Sequence, residues 1–287
     1  MSLCGAAGCV PDPTFESADA TKVLHVQHED KLYDDRTLRE RLSAERDRGV
    51  VIVVTEHTAS ETARSWDHLV DIWVTHTSTG FDWLTRRCPR GYVTKIPHGC
   101  PTWFPPQRKE RPGRTIGTFG FVSNSKGHAA LAEALDVVQG STLLVYGTAR
   151  SAAKLEAMRR LWAGRPVRHV NEYLPERVVV SELAARADVL VFWYSENAMA
   201  ASGAVGVGLS AGVPVITSPT SWFADLRSCT YQPDSLAEGI SAVLDGEELR
   251  KSLRASARLY CFEHSWPEMA RRHRSVWAEA METGQLV

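Results

Sequence analysis

The feature that most narrows the fold is the character of the apolar runs. Nine short stretches rich in β-branched residues recur along the chain: "KVLHVQ" from Lys22, "VVIVVTE" from Val50, "DIWVTH" from Asp71, "YVTKIP" from Tyr92, "TIGTFGFV" from Thr115, "STLLVYG" from Ser141, "VRHVNEY" from Val167, "DVLVFWY" from Asp188 and "VPVITS" from Val213. They are near-continuously apolar rather than alternating, the mark of strands buried on both faces of a parallel sheet. Between them lie helical stretches such as "DRTLRERLSAERDR", "KGHAALAEALDVVQ", "SAAKLEAMRRLWAG" and "PERVVVSELAARA". Strand and helix alternate throughout, so the expected class is α/β, doubly wound.

One segment breaks the alternation. "PTWFPPQRKERPGR", Pro101 to Arg114, is rich in proline and charge and has no period. It reads as a linker between two α/β domains, with about four strands before it and about five after. "HSWPEMARRHRSVWAEAM" is the expected last helix.

Charge and cysteines exclude several classes. The net charge is −1, which gives no global case for nucleic acid or an anionic membrane. "RKERPGR" and "ARRHR" are basic clusters that read as solvated surface. The six cysteines, Cys4, Cys9, Cys88, Cys100, Cys229 and Cys261, form no CxxC pair and no disulfide framework is expected. The start shows neither a basic n-region nor an apolar h-region, and a cytoplasmic protein is expected.

Ligands of parallel α/β sheets bind beyond the carboxyl ends of the strands. In the N-terminal half each of the four strand ends delivers a histidine: His28, His57, His76 and His98. Four histidines at equivalent places suggest a polar cleft with acid–base capacity near neutral pH. A zinc cluster would need ligands converging from separate loops, and no HxxxH or HExxH marks a helix; no metal is expected. In the C-terminal half, "GFVSNSKGHAAL" is a glycine-containing turn with a lysine that opens a helix. Helix-start amides and Lys126 suit a phosphate, although the segment is neither a Walker A motif nor GxGxxG.

The stretch "SENAMAASGAVGVGLSAGVPVIT", Ser195 to Thr217, follows the strand "DVLVFWY" and ends in another. It is too short and too interrupted by Ser202 and Ser210 to span a membrane. Its small residues would let a helix beginning at Ser202 and Gly203 lie close on the sheet and bring its first amides to an anion. Helix–sheet packing alone would call for the same residues.

These segments together resemble the retaining glycosyltransferases of the GT-B fold, in particular the family 4 type. "TFGFVSNSKGH" resembles the glycine–loop–lysine-glycine segment of the donor domain, and "LLVYGTA" the strand after it. "YLPERVVVSELAARADVLVFWY" and "GLSAGVPVITS" resemble two later blocks. "LHVQHED", "VVTEHT" and "KIPHGC" resemble strand ends of the acceptor domain, and "HSWPEMARRH" the closing helix. The similarity runs from about Lys22 to the C-terminus. It departs from the family pattern in places: Met199 and Val207 stand where many members carry two glutamates, and Phe121 where an arginine usually partners the lysine. The N-terminal domain also lacks the usual first strands.

The resemblance implies two Rossmann-type domains facing a cleft. They are a shortened acceptor-side domain over residues 1–106, onto which a helix from about residue 265 packs back, and a donor-binding domain over 107–287. It implies transfer of a sugar from a UDP- or GDP-type nucleotide sugar to an unidentified acceptor, with retention and without a metal or other cofactor. His57 would be catalytic. Lys126, Ser202 and Gly203 would hold the donor diphosphate, Glu196 and Asn197 the sugar, and Tyr173 and Leu174 would lie near the base. His28, Glu29 and His98 would face the acceptor. The alternatives are a glycosyltransferase acting on modified bases of nucleic acid and a non-catalytic nucleotide-sugar binder. Before the linker, 12 Lys and Arg stand against 15 Asp and Glu, a balance that argues against phosphate-backbone binding there. The oligomeric state is open.

Overall fold

The computed structural model describes residues 22–30, 32–58, 60–105, 113–195 and 201–283. The chain divides into two compact units, Met1–Gly99 with Ala198–Ser202 and His264–Val287, and Cys100–Asn197 with Gly203–Glu263. Residues 106–112 of the linker segment lie outside the described residues.

The first unit is built on four parallel strands in the order β1 (Val23–His28), β2 (Val51–Glu56), β3 (Ile72–Thr75), β4 (Tyr92–Lys95). Helix α1 (Asp35–Asp47) joins β1 to β2, and α2 (Ser78–Arg87) joins β3 to β4. The Asp34 side chain caps α1 by accepting from the Thr37 amide at 2.9 Å, and the Thr77 hydroxyl caps α2 from the Gly80 amide at 3.1 Å. Such caps satisfy amides that the helix leaves unpaired.

A strand order that advances in one direction, with right-handed crossovers, puts every connection on one face of the sheet. That face packs Val26, Ile52, Val54 and Trp73 against Leu38, Leu42, Trp66 and Leu84. The opposite face would stay bare. It is covered by the C-terminal helix, whose Met269, Val276, Trp277 and Ala280 pack on Val53, Ile72, Val74 and Ile96.

The second unit holds five parallel strands: β5 (Thr115–Phe119), β6 (Thr142–Tyr146), β7 (Val167–Val170), β8 (Val189–Phe192) and β9 (Val215–Thr217), in the order β7-β6-β5-β8-β9. The chain starts in the middle, winds one way and then returns to wind the other, so helices cover both faces. They are α3 (His128–Val137), α4 (Ala152–Trp162), α5 (Glu176–Arg186), α6 (Gly203–Ser210), α7 (Leu236–Asp245) and α8 (Glu247–Glu263); α9 (Trp266–Thr283) is the helix that closes the first unit. Ile116, Val145, Val189 and Ile216 sit in one continuous core with Leu131, Leu135, Ile240 and Val243. No helix among the described residues is long and apolar enough to cross a membrane.

Candidate functional site

In the second unit the winding direction reverses between β5 and β8. At such a switch point the loops after the two strands part and leave a crevice at the carboxyl edge, where open α/β sheets bind ligands. The loop after β5 carries Ser123 to Lys126 and ends at Gly127; the loop after β8 carries Trp193 to Ser195. The two loops touch. The Ser195 amide donates to the Ser125 carbonyl at 3.1 Å. Gly127 has φ of +70°, and a Cβ there would lie 1.8 Å from the Trp193 carbonyl oxygen. Only glycine meets both demands.

Lys126 lies across this contact. Its Nζ is 3.7 Å from the centre of the Tyr194 ring, a cation–π distance. Burial pulls the ammonium down to about 8. A partly desolvated cation loses water contacts that an anion would replace, and its field is less screened. Helix α3 begins at the next turn with Gly127 as its N-cap and no side-chain cap among the described residues.

The small-residue run forms α6, which starts at Gly203. Its residues Val205, Gly206, Gly208, Leu209 and Ser210 are buried. A Cβ on Gly208 would lie 2.7 Å from the Phe192 ring, so glycine here lets the helix lie against β8. Ser202 and Gly203 are both half-buried at its start. Glu196 and Asn197 lie outside the described residues. Tyr173 is 83% exposed on the loop after β7, and Leu174 beside it is half-buried.

In the first unit the four strand-end histidines are not equivalent. The pleat places His57, His76 and His98 on the α9 side of the sheet and His28 on the other. The rings of His57 and His76 are 5.0 Å apart, those of His76 and His98 5.2 Å, and the His98 ring meets Trp266 of α9 at 5.3 Å. His57 Nε2 pairs with the Gln27 amide oxygen at 2.8 Å. His76 Nδ1 donates to the Ile96 carbonyl at 2.8 Å and His98 Nδ1 to that of Gly99 at 2.9 Å. Two further histidines extend the group: His25 bonds Thr55 at 2.8 Å and accepts from Trp277 Nε1 at 3.2 Å, and its ring lies 5.4 Å from that of His273.

Burial, with the neighbouring His98, lowers His57 to about 4. Burial also holds His76 well below, and His98 below, the usual histidine range. The row is therefore neutral at pH 7. It offers hydrogen-bond donors and acceptors, in place of the acid–base capacity near neutral pH expected of these three rings.

His28, expected to face an acceptor, is 1% exposed. Its Nδ1 pairs with Glu56 at 2.9 Å, and Arg64 reaches Glu56 at 2.5 Å and also bonds Asp30. Arg87, fully buried, lies 3.3 Å from Glu56 and 3.2 Å from Asp67. Burial alone would raise the Glu56 carboxyl, but His28 and Arg64 outweigh it and hold it below its ordinary value. His28, Asp30 and Glu56 are grouped closely enough for a cation, yet the Arg64 guanidinium already occupies that role. Glu29 is exposed beside this network.

Sequence reasoning singled out Lys126 and His57 but passed over their partners, Tyr194 and Gln27. Gln27 could have been found: it is two residues from His25, on the same face of β1, and Thr55 stands opposite it in register. Nothing in the sequence pairs Lys126 with Tyr194, which lies 68 residues away and meets it only because β8 returns beside β5.

No protein-family model and no curated protein sequence matches the chain. Solved structures do share its fold. A sucrose-phosphate synthase from Thermosynechococcus elongatus superposes with a TM-score of 0.73 at 17% identity, over 91% of this chain and 74% of that one. A UDP-forming α,α-trehalose-phosphate synthase from Burkholderia xenovorans gives 0.69 at 10% identity, over 90% and 74%. A glycosyltransferase from Rickettsia africae gives 0.68 at 14%, over 91% and 77%. The chain has the two-sheet α/β architecture of these GT-B proteins.

Proposed function

We propose that the protein is a glycosyltransferase that moves a sugar from a nucleotide-diphosphate sugar of UDP or GDP type to an acceptor, with retention and without a metal. The observation that carries this reading is the β5–β8 switch point, where two loops in contact hold Lys126 against Tyr194. The structural neighbours, a UDP-forming synthase and a glycosyltransferase among them, support it. The first domain is the acceptor side and the second the donor side.

In this reading Lys126 and the amides at Ser202 and Gly203 stabilise the leaving diphosphate. Negative charge grows there as the glycosidic bond breaks, so a fixed cation and helix-start dipoles favour the transition state over the ground state. His57, neutral and fixed by Gln27, orients the sugar or the acceptor at the reacting centre. Glu196 and Asn197 bind sugar hydroxyls. Tyr173 and Leu174 lie by the base, and Glu29 and His98 by the acceptor.

The test is a thermal-shift screen with UDP, GDP and their sugars, followed by NMR of the product's anomeric proton. Binding at a hundredfold excess over Kd stabilises by about 2.7 kcal/mol. No stabilisation by any diphosphate nucleotide or its sugar would sink the reading. Binding without turnover over a donor panel would leave a nucleotide-sugar binder.

A further inference from the structure

The loops that leave β5 and β6 stay paired beyond the strands. The Gly120 amide donates to the Tyr146 carbonyl and the Val122 amide to that of Thr148, both at 3.0 Å, and Val122 bridges Ala149 in parallel. The Asn171 side chain holds the Ala149 amide at 3.1 Å. Two residues flank this bridge, Phe121 on one loop and Arg150 on the other. Phe121 is 49% exposed, and the Arg150 Cζ lies 5.1 Å from the centre of its ring.

Each feature limits what Arg150 can do. The backbone beneath it is fixed by three hydrogen bonds, so its position is set by the fold and not by a wandering loop. The Phe121 ring braces the guanidinium at a cation–π distance. Among the described residues the guanidinium makes no hydrogen bond or ion pair. A planar cation braced on a ring, with its fork of N–H groups open, matches a phosphate bidentately.

We infer that Arg150, braced by Phe121, is a second phosphate contact, on the β6 loop at the sheet edge where the β5 loop carries Lys126. Its ligand is a diphosphate oxygen of the nucleotide. The inference rests on the nucleotide-sugar reading above and adds a residue that reading did not assign.

The experiment is calorimetric titration of UDP, GDP, uridine, guanosine and inorganic pyrophosphate into the wild type, R150A, R150K and F121A. R150A should weaken the tighter-bound nucleoside diphosphate and pyrophosphate about tenfold to a hundredfold and leave nucleosides within about twofold. R150K, which keeps charge but not the fork, should recover part of the loss. F121A should fall between wild type and R150A. Unchanged diphosphate and pyrophosphate binding in R150A overturns the inference, as does an equal loss for nucleoside and diphosphate. A wild type that binds pyrophosphate through Arg150 but no nucleotide overturns the nucleotide reading while the phosphate contact stands. Binding of neither overturns both.

Discussion

Replacing Gly127 with alanine tests the contact on which the candidate site rests. Two costs can be separated. The first is conformational: φ is +70°, and placing a residue with a Cβ in that region costs about 1–2 kcal/mol. The second is steric: the new methyl carbon would stand 1.8 Å from the Trp193 carbonyl oxygen and 2.8 Å from its carbon. Normal contact needs more than 3 Å, so the two loops must part by over ~1 Å. That parting breaks the Ser195–Ser125 hydrogen bond, worth about 1 kcal/mol, and disturbs the packing of Lys126 on Tyr194. The sum is about 3 kcal/mol or more. Gly164 is the control, since its φ is +76° and a Cβ there meets nothing within 4 Å. Gly164→Ala should carry the conformational cost alone. Both positions belong to the second unit, so both are read from that unit's transition in urea unfolding. Gly127→Ala should also weaken UDP or GDP binding, whereas Gly164→Ala should not. If the two variants lose the same stability, the loops are not in the contact described and the crevice argument fails.

Other expectations follow from the same geometry. Lys126→Ala should weaken nucleoside diphosphate binding about tenfold to a hundredfold while nucleoside binding holds, measured by calorimetry. Because burial lowers Lys126 to about 8, wild-type diphosphate affinity should decline as pH rises through that value, and the decline should be absent in Lys126→Ala. His57→Ala should cut single-turnover rate by ~10²–10⁴ with donor affinity within a few-fold, and His76→Ala should do much less; loss of donor affinity instead of rate would make His57 structural. The first unit should lose stability in acid. His57 is lowered by burial from 6.5 to about 4, so between these values the unfolded chain binds a proton that the folded chain refuses. Stability is then flat above pH 6.5 and falls below it, by up to about 1.4 kcal/mol per pH unit for each histidine held neutral. Glu56, lowered in the fold, adds a loss below its unfolded range near 4.5. Trp277 and Trp266 fluorescence reports the transition, and a pH-independent midpoint from 7 to 4 would contradict the burial of the row.

How much of this was legible beforehand depends on the range of the interaction. The nine strands were readable because burial on both faces leaves a local mark, an unbroken apolar run. The pleat is also local: period two, counted along "KVLHVQH", separates His25 and Gln27 from His28. The Gly127 position and the small-residue run were visible as exceptional composition, but composition alone could not separate close packing from anion binding. Gly208 against Phe192 shows that packing accounts for at least part of the run.

What tertiary structure decided was every pairing between distant segments. The order β7-β6-β5-β8-β9 brought Tyr194 under Lys126 and the loop of β6 beside Phe121. The one-directional order of the first sheet left a face that, among the described residues, α9 covers, and so enclosed His76, His98 and His273. Burial then fixed their protonation. A sequence specifies which residues can titrate, but desolvation is set by what packs around them, and those neighbours come from strands and helices far along the chain.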